Sequence, residues 1–255
     1  MNANLRNFAL WVIIVLLLLA LFTLFQNPGQ RTSSQDISFS LEPGEALGVL
    51  GPNGAGKTTL FNLISGDVLP DDGKIRFKGL DITRRPPHRR CHEGIGRSYQ
   101  IALPFEGMTV FENLLVGSMF GAGRKRTTEA HDRCADILER TGLIAKANRL
   151  AGSLTLLDRK RLELARALAT EPDLLLLDEI AGGLTEHEAH ALVETVQGIR
   201  AQGISIIWIE HVVHALLAVA TRLLVINFGA KLADGGPREV MDSPEVKRVY
   251  MGIEV

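Results

Sequence analysis

The sequence predicts an α/β fold with a mostly parallel sheet that carries a phosphate-binding loop. Short, predominantly apolar segments, such as Leu174–Leu177 and Ile204–Ile209, are typical of strands buried on both faces. Segments with the hydrophobic periodicity of helices lie between them. This alternation predicts a parallel sheet, and a glycine-rich motif after one strand supplies the loop. The 255 residues are 46% hydrophobic and 22% charged, which excludes the disordered and fibrous classes.

Charge and cysteine content exclude further classes. The chain has 28 Lys and Arg against 29 Asp and Glu, a net charge of −1, so it lacks the basic excess usual in nucleic-acid-binding proteins. We therefore expect no nucleic acid among its partners. Its two cysteines, Cys91 and Cys134, are too few for a disulfide framework, which favours a reducing, intracellular environment.

Residues 8–25 form an uncharged apolar run. As a helix of about 27 Å they would approach the hydrocarbon thickness of a bilayer, so a transmembrane anchor is the first interpretation. A cleavable signal peptide is one alternative, but no small-x-small cleavage site follows the run. A buried core helix is another, but the run lacks the polar stripe that such a helix usually has. Arg6 and Arg31 flank the run and set no orientation. Residues 1–35 are thus expected to form a hydrophobic helix and a linker.

The motif GPNGAGKTT satisfies the pattern G-x-x-x-x-G-K-[ST]. An apolar strand, Ala46–Leu50, precedes it, and a predicted helix that ends at Gly66 follows it. Its glycines allow backbone N–H groups to surround phosphates at a helix N-terminus, while Lys57 reaches the β- and γ-oxygens and the Thr58 hydroxyl can bind Mg²⁺. The predicted nucleotide-binding residues are Gly51, Pro52, Asn53, Gly54, Ala55, Gly56, Lys57, Thr58 and Thr59.

The motif LLLLDE, at residues 174–179, separates an ATPase from other phosphate-loop proteins. Its buried strand delivers two acids at its carboxyl end, the edge at which open α/β sheets bind ligands. We expect Asp178 to hold Mg²⁺, directly or through water, and Glu179 to polarise the attacking water as general base. The N-K-x-D guanine-binding motif of GTPases does not occur in the sequence.

Two more helices are predicted from sequence patterns. Thr185 and Glu188 form a capping-box pattern ahead of an apolar face, and Gly203 is the expected terminator. Another helix is expected to stop near Gly142 and carries Cys134 on its apolar face. Cys134 is therefore most simply a reduced core thiol.

With these motifs, residues 36–255 resemble the ATP-binding subunits of ABC transporters. The resemblance implies an ABC-type P-loop ATPase that uses ATP and Mg²⁺ and has a helical subdomain inserted at about residues 101–170. Gln100, in GIGRSYQ, matches the family's glutamine loop, which senses Mg²⁺ and the attacking water. His211, in IIWIEHVV, matches the switch histidine that contacts the γ-phosphate. The expected catalytic residues are therefore Glu179, Gln100 and His211, and the expected metal-binding residues are Thr58, Gln100 and Asp178.

The segments EGMTVFENLLVG and VINFGAKLADGGPREVMDSPEVKRVYMG resemble the ATP-binding subunits of branched-chain amino acid importers. This resemblance implies ATP hydrolysis coupled to solute import at the cytoplasmic face of the bacterial inner membrane. It also implies transmembrane permease subunits as partners, with a periplasmic solute-binding protein acting through them. A membrane-tethered ATPase outside transport and a non-functional chimeric chain are the alternatives.

The sequence departs from this family at the signature L-S-G-G-Q. Leu154, Thr155, Leu156, Leu157 and Asp158 stand in its place, so both glycines are leucines. In the family's head-to-tail dimer this loop approaches the γ-phosphate held by the partner, and a side chain at Leu157 would crowd that approach. The loop after Glu179 also lacks the usual Pro and Asp. We therefore expect an asymmetric pair with a second ATP-binding subunit whose signature is intact.

The N-terminus departs from the family as well. Residues 26–35 replace the expected strand and its adenine-stacking aromatic, and residues 1–39 resemble the start of membrane-anchored AAA+ zinc proteases. Because no H-E-x-x-H follows, the sequence predicts a junction of two genes near DISFS.

A weaker candidate metal site comprises His88, Cys91 and His92. Nearby arginines would repel a cation, and a solvated basic surface is the alternative. Those arginines are Arg84, Arg85, Arg89 and Arg90.

Overall fold

The computed structural model describes residues 37–121 and 127–251. Within these ranges no helix has both the length and the apolar character needed to cross a bilayer. The predicted transmembrane run at residues 8–25 and the linker after it lie outside the described residues. The expected boundary at residue 35 therefore stays a prediction.

The described strands form one large sheet and one small one. They are β1 (Ala46–Leu50), β2 (Arg76–Phe77), β3 (Leu80–Asp81), β4 (Ile95–Arg97), β5 (Leu174–Asp178), β6 (Ser205–Ile209), β7 (Arg222–Asn227) and β8 (Ala230–Gly235). The large sheet has the order β4-β5-β6-β1-β7-β8, and β2 pairs with β3. All pairs in the large sheet are parallel except β7 with β8. The predicted α/β class with a mostly parallel sheet is therefore confirmed.

Helices cover both faces of the large sheet. The described helices are α1 (Lys57–Ser65), α2 (Pro87–His92), α3 (Val110–Phe120), α4 (Thr127–Arg140), α5 (Leu156–Ala169), α6 (Glu186–Arg200), α7 (Val213–Val219), α8 (Pro237–Asp242) and α9 (Pro244–Met251). In the chain, α3, α4 and α5 lie between β4 and β5, within the range expected for a helical subdomain.

Local signals explain where these helices begin and end. Thr185 caps α6 in the predicted capping box, with the Glu188 amide donating to its hydroxyl at 3.3 Å. The helix ends at Arg200, ahead of the predicted Gly203, whose φ of 87° lies in the left-handed region. Helix α4 ends at Arg140 as expected, and Cys134 within it is a fully buried free thiol.

Strand β1 lies at the centre of the core because both its faces are covered. Leu50 belongs to the hydrophobic cluster that contains α3, α5, α6 and α7, whereas Leu47 and Val49 belong to the cluster that contains α1. All five residues of β1 are buried. The strand that leads into the phosphate-binding motif is therefore held from both sides.

The arginine-rich segment before β4 differs from the expected solvated surface. Arg90 is fully buried, and its guanidinium donates to the carbonyl oxygens of Leu63, Ile64, Thr83 and Arg85, the last three at 2.9 Å. Leu63 and Ile64 lie in the last turn of α1, where carbonyl oxygens lack helical partners. The expectation of a solvated surface is thus wrong for Arg90, which clamps α2 to the end of α1.

The candidate metal site beside this clamp receives no support. Among the residues that the structure describes, no group of three or more His, Cys, Asp or Glu side chains is arranged to hold a metal ion. His88, Cys91 and His92 all lie on the short helix α2.

Replacing Arg90 by Met is expected to lower the free energy of unfolding by about 3 kcal/mol, because four carbonyl oxygens that are buried or partly buried lose a charged donor. Arg89 is exposed on the same helix, so Arg89→Met should change it by less than about 0.5 kcal/mol. Urea unfolding of both variants measures the difference. Equal effects of the two substitutions would contradict the clamp.

Candidate functional site

The phosphate-binding motif follows β1 and opens α1. Helix α1 begins at Lys57 after Gly56, whose φ of 101° is left-handed. No side chain caps this end of the helix, and its first turn contains no acidic residue. The first amides of α1 are therefore free of side-chain partners and suited to an anion.

Lys57 is folded back over its own loop. Its Nζ donates to the carbonyl oxygens of Gly51 at 2.7 Å and Pro52 at 3.0 Å, and the residue is 7% exposed. Burial lowers the pKa of Lys57, whereas the carboxylates of Glu179 and Asp178 act in the opposite direction. The ammonium group therefore lies within the electrostatic reach of both acids at the carboxyl end of β5.

The three predicted catalytic side chains meet at one point. Glu179 Oε2 accepts from Gln100 Nε2 at 2.5 Å, and Glu179 Oε1 lies 2.8 Å from His211 Nε2. These residues follow β5, β4 and β6, whose carboxyl ends share one edge of the sheet. The Glu179 carboxylate is thus held between an amide and an imidazole.

The Glu179 backbone is strained and held by neighbours. Its φ of 48° is left-handed, a conformation that side chains rarely adopt. Its amide donates to the carbonyl of Ile209 at 2.8 Å, and its carbonyl accepts from Lys160 Nζ at 3.3 Å. These two bonds fix the direction in which the carboxylate leaves β5.

Lys160, which the sequence analysis missed, joins three segments of the site. It lies in α5, is 5% exposed, and also donates to the carbonyl of Gln100 at 2.7 Å. Burial lowers its pKa, and the charge of Glu210 is the largest opposing influence. Lys160 precedes Leu164 by four residues and Leu168 by eight, so this spacing could have predicted that it lies on the buried face of the helix.

Glu210 is a second residue that sequence reasoning missed. It is 1% exposed, and its carboxylate accepts from the amides of Ala181 at 3.0 Å and His211 at 3.1 Å. Burial raises its pKa despite these bonds. Glu210 therefore ties the loop after Glu179 to the start of the His211 segment.

Asp178 has a cationic partner that the sequence did not reveal. Arg97 Nη2 lies 3.3 Å from Asp178 Oδ2, and Arg97 Nη1 donates to Asn62, Ser65 and Asp67 at 2.8 to 3.0 Å. Burial raises the pKa of Asp178, and Arg97 opposes the shift. Arg97 thus connects the end of β5 with helix α1.

The donor set fits Mg²⁺ bound mainly through phosphate oxygens. Asp178 supplies a buried carboxylate and Thr58 an exposed hydroxyl in the first turn of α1, and such hard oxygens are the ligands that Mg²⁺ prefers. Gln100, the third expected ligand, directs its amide nitrogen to Glu179 in this conformation. In this conformation it therefore contacts the Glu179 carboxylate.

The altered signature forms an ordinary helix start. The Thr155 hydroxyl caps α5 by accepting from the Asp158 amide at 3.3 Å, and it donates to Asp158 Oδ2 at 2.9 Å. Leu156 is 49% exposed. No described non-glycine residue in this segment has a positive φ, so the leucines cause no backbone strain. The hydroxyl that this segment retains serves its own helix.

Comparisons with known proteins give one consistent result. The ABC transporter family model matches residues 34–182. The high-affinity branched-chain amino acid transport ATP-binding protein LivG of Salmonella typhimurium is 37% identical over 249 residues, covering 92% of this chain and 98% of that protein. BraF, with the same description, from Pseudomonas aeruginosa is 36% identical over 230 residues, covering 85% and 90%.

A solved structure is similar as well. The ADP conformation of MJ1267, an ATP-binding cassette of an ABC transporter, superposes with a TM-score of 0.77 at 32% identity, covering 86% of this chain and 93% of that one. The expected junction with a protease N-terminus receives no support from these comparisons.

Replacing Arg97 by Leu is expected to lower the free energy of unfolding by about 3 kcal/mol, because Asp178 stays buried without its cation. The double variant Arg97→Leu/Asp178→Asn should be about 1 to 3 kcal/mol more stable than the sum of the two single effects on the free energy of unfolding predicts. Combining Arg97→Leu with Asp67→Asn should recover less, since the Asp67 side chain is 38% exposed. Urea unfolding in Mg²⁺-free buffer measures both cycles, and strict additivity with Asp178→Asn would contradict the pairing.

Proposed function

Since this chain belongs to the ABC transporter family, we propose that it is the ATP-binding subunit of an importer and hydrolyses ATP to drive uptake. The Glu179 carboxylate, held between Gln100 and His211 within the electrostatic reach of Lys57, is the observation that carries this proposal. The proposed solute is a branched-chain amino acid or a similar small polar molecule, as the names of LivG and BraF suggest. The solute itself contacts other subunits.

In the proposed reaction the nucleotide lies along the phosphate loop. The amides at the start of α1 and the Lys57 ammonium bind the β- and γ-phosphates. Bound Mg²⁺, held by Thr58 and Asp178, would neutralise charge on the phosphate oxygens. Arg97 holds the Asp178 carboxylate in place and favours its ionised form, because its charge opposes the rise in the pKa of Asp178 that burial causes.

Glu179 acts as the general base in this proposal. Water attacks the γ-phosphorus, its proton passes to the Glu179 carboxylate, and ADP departs. Both carboxylate oxygens of Glu179 already have partners in this conformation. Each oxygen has one such partner and can still accept a further hydrogen bond from the attacking water. In this proposal, binding of the triphosphate draws Gln100 or His211 towards the γ-phosphate, which leaves more of the carboxylate open to the water. This links recognition of the γ-phosphate to activation of the base.

The proposed partners are transmembrane permease subunits and a second ATP-binding subunit with an intact signature. Contact with the permease would hold the chain at the cytoplasmic face of the inner membrane, and a periplasmic solute-binding protein would act through the permease. Two observations support a different second subunit. Leu156 and Leu157 present side chains where the family has glycines. The Thr155 hydroxyl forms its hydrogen bonds with Asp158 of its own helix.

Replacing Glu179 by Gln removes the basic charge and keeps the shape of the side chain. Steady-state ATP hydrolysis should fall by about 100-fold or more, while MgATP binding stays within a few-fold of wild type. Phosphate release measures the first quantity and equilibrium titration the second. A turnover within a few-fold of wild type would reject Glu179 as the base.

If the pair is asymmetric, replacing the general base of this chain and replacing that of the paralogue should affect ATP hydrolysis to different extents. The isolated chain should hydrolyse ATP poorly, and addition of a paralogue with an intact signature should raise the rate. In the mixture, Glu179→Gln should abolish most of the activity. The site that contains this chain's Lys57 faces the intact signature of the paralogue, whereas the paralogue's own site faces the altered signature of this chain. The equivalent substitution in the paralogue should have a small effect.

Phosphate release from the mixed and separate proteins measures these rates. Robust hydrolysis by the isolated chain, rising with its own concentration as for a homodimer, would count against asymmetry.

A further inference from the structure

The turn between β7 and β8 carries an aromatic residue that the fold does not explain. Phe228 has a φ of 48° and Gly229 a φ of 77°, so both turn residues are left-handed. Such turns favour Asn, Asp and Gly, because a bulky side chain is disfavoured in this conformation. The Phe228 side chain is also 87% exposed. The residue is therefore strained and contributes little to the core.

This turn is attached directly to the phosphate loop. The Gly229 amide donates to the carbonyl of Ala55 at 2.9 Å. A Cβ added to Gly51 would lie 2.3 Å from the carbonyl oxygen of Ile226, and one added to Gly56 would lie 3.7 Å from the Gly229 Cα. The backbone on both sides of Phe228 thus contacts the loop, which fixes the position of the turn relative to a bound triphosphate.

The order of the strands gives the triphosphate a direction. Strand β1 lies between β6 and β7, and Glu179 and His211 follow β5 and β6 on one side of it. The γ-phosphate must face these two residues for hydrolysis. The α-phosphate and the nucleoside therefore extend to the other side of β1, towards β7 and the turn that carries Phe228.

We propose that Phe228 provides a stacking surface for the purine base of the nucleotide. The proposal rests on the proposed function, because it assumes a nucleoside triphosphate in the phosphate loop. An exposed aromatic ring stacks on the π-face of any base, so the contact adds affinity without selecting one base. Among the residues up to Arg248 that the structure describes, the other exposed aromatic residues are Tyr99, Phe105 and Phe120, all in the chain between β4 and β5 and therefore on the γ-phosphate side.

Because Phe228 is strained, substitution at this position can distinguish a role in nucleotide binding from a role in stabilising the fold. Replacement by Asn relieves the strain and removes the ring, whereas replacement by Tyr keeps both. If the ring stacks on the base, Phe228→Asn should weaken ATP binding while the melting temperature stays equal or rises. A residue that only stabilised the fold would show the opposite change in melting temperature.

The experiment compares ATP with inorganic tripolyphosphate, which has the phosphates and no base. Both are titrated, with Mg²⁺, against the full chain by competition with a fluorescent nucleotide. Phe228→Asn should weaken ATP binding between about 5- and 150-fold and leave tripolyphosphate binding unchanged. Phe228→Tyr should bind ATP as wild type does. The matched control is Phe120→Asn, the same change at a 70% exposed ring, and it should not affect ATP binding.

Two results would overturn the stacking role. One is unchanged ATP affinity in Phe228→Asn. The other is an equal loss for ATP and tripolyphosphate, which would mean that the turn only shapes the loop. The proposed function is tested separately by Lys57→Ala, which should weaken both ligands. Loss of both in Lys57→Ala with unchanged ATP affinity in Phe228→Asn would retain the proposed function and reject this inference.

Discussion

The central position of β1 between β6 and β7 is the constraint on which the site depends. It places the phosphate loop between the segment that carries His211 and the turn that carries Phe228. Close packing maintains the arrangement. A Cβ added to Gly48, in the middle of β1, would lie 2.7 Å from Leu223 and 2.9 Å from Leu216. The glycine at this position therefore lets Leu223 of β7 and Leu216 of α7 pack directly against the strand.

Buried charged side chains organise the loops around this strand. Arg90 satisfies carbonyl oxygens at the end of α1, Arg97 holds Asp178, Lys160 holds Gln100 and Glu179 through their carbonyl oxygens, and Glu210 holds the amides of Ala181 and His211. Each joins segments that are distant in the sequence. Desolvation makes every one of them costly, so their contribution is to geometry more than to stability.

Two residues with a strained backbone lie near the same edge of the sheet, while Lys78 and Glu171 have a left-handed φ elsewhere in the described residues. Glu179 and Phe228 are two of the described non-glycine residues with a left-handed φ, and they follow β5 and β7 at the edge where the phosphate loop lies. Neighbouring bonds hold both in place: Ile209 and Lys160 at Glu179, and Ala55 beside Phe228. Strain of this kind persists where the surrounding structure determines the conformation, and it is common at functional sites.

The sequence by itself determined the α/β class, the strands around the phosphate loop, the capping of α6 and the buried thiol of Cys134, because periodicity and capping are local properties of the chain. It also indicated Gln100, Glu179 and His211. Only the tertiary structure decided that these three side chains meet, that Arg90 is internal, and that Lys160, Glu210 and Arg97 hold the site together. Partners of these buried charges lie far along the chain, and their pairing follows from the order of the strands, which no local pattern encodes.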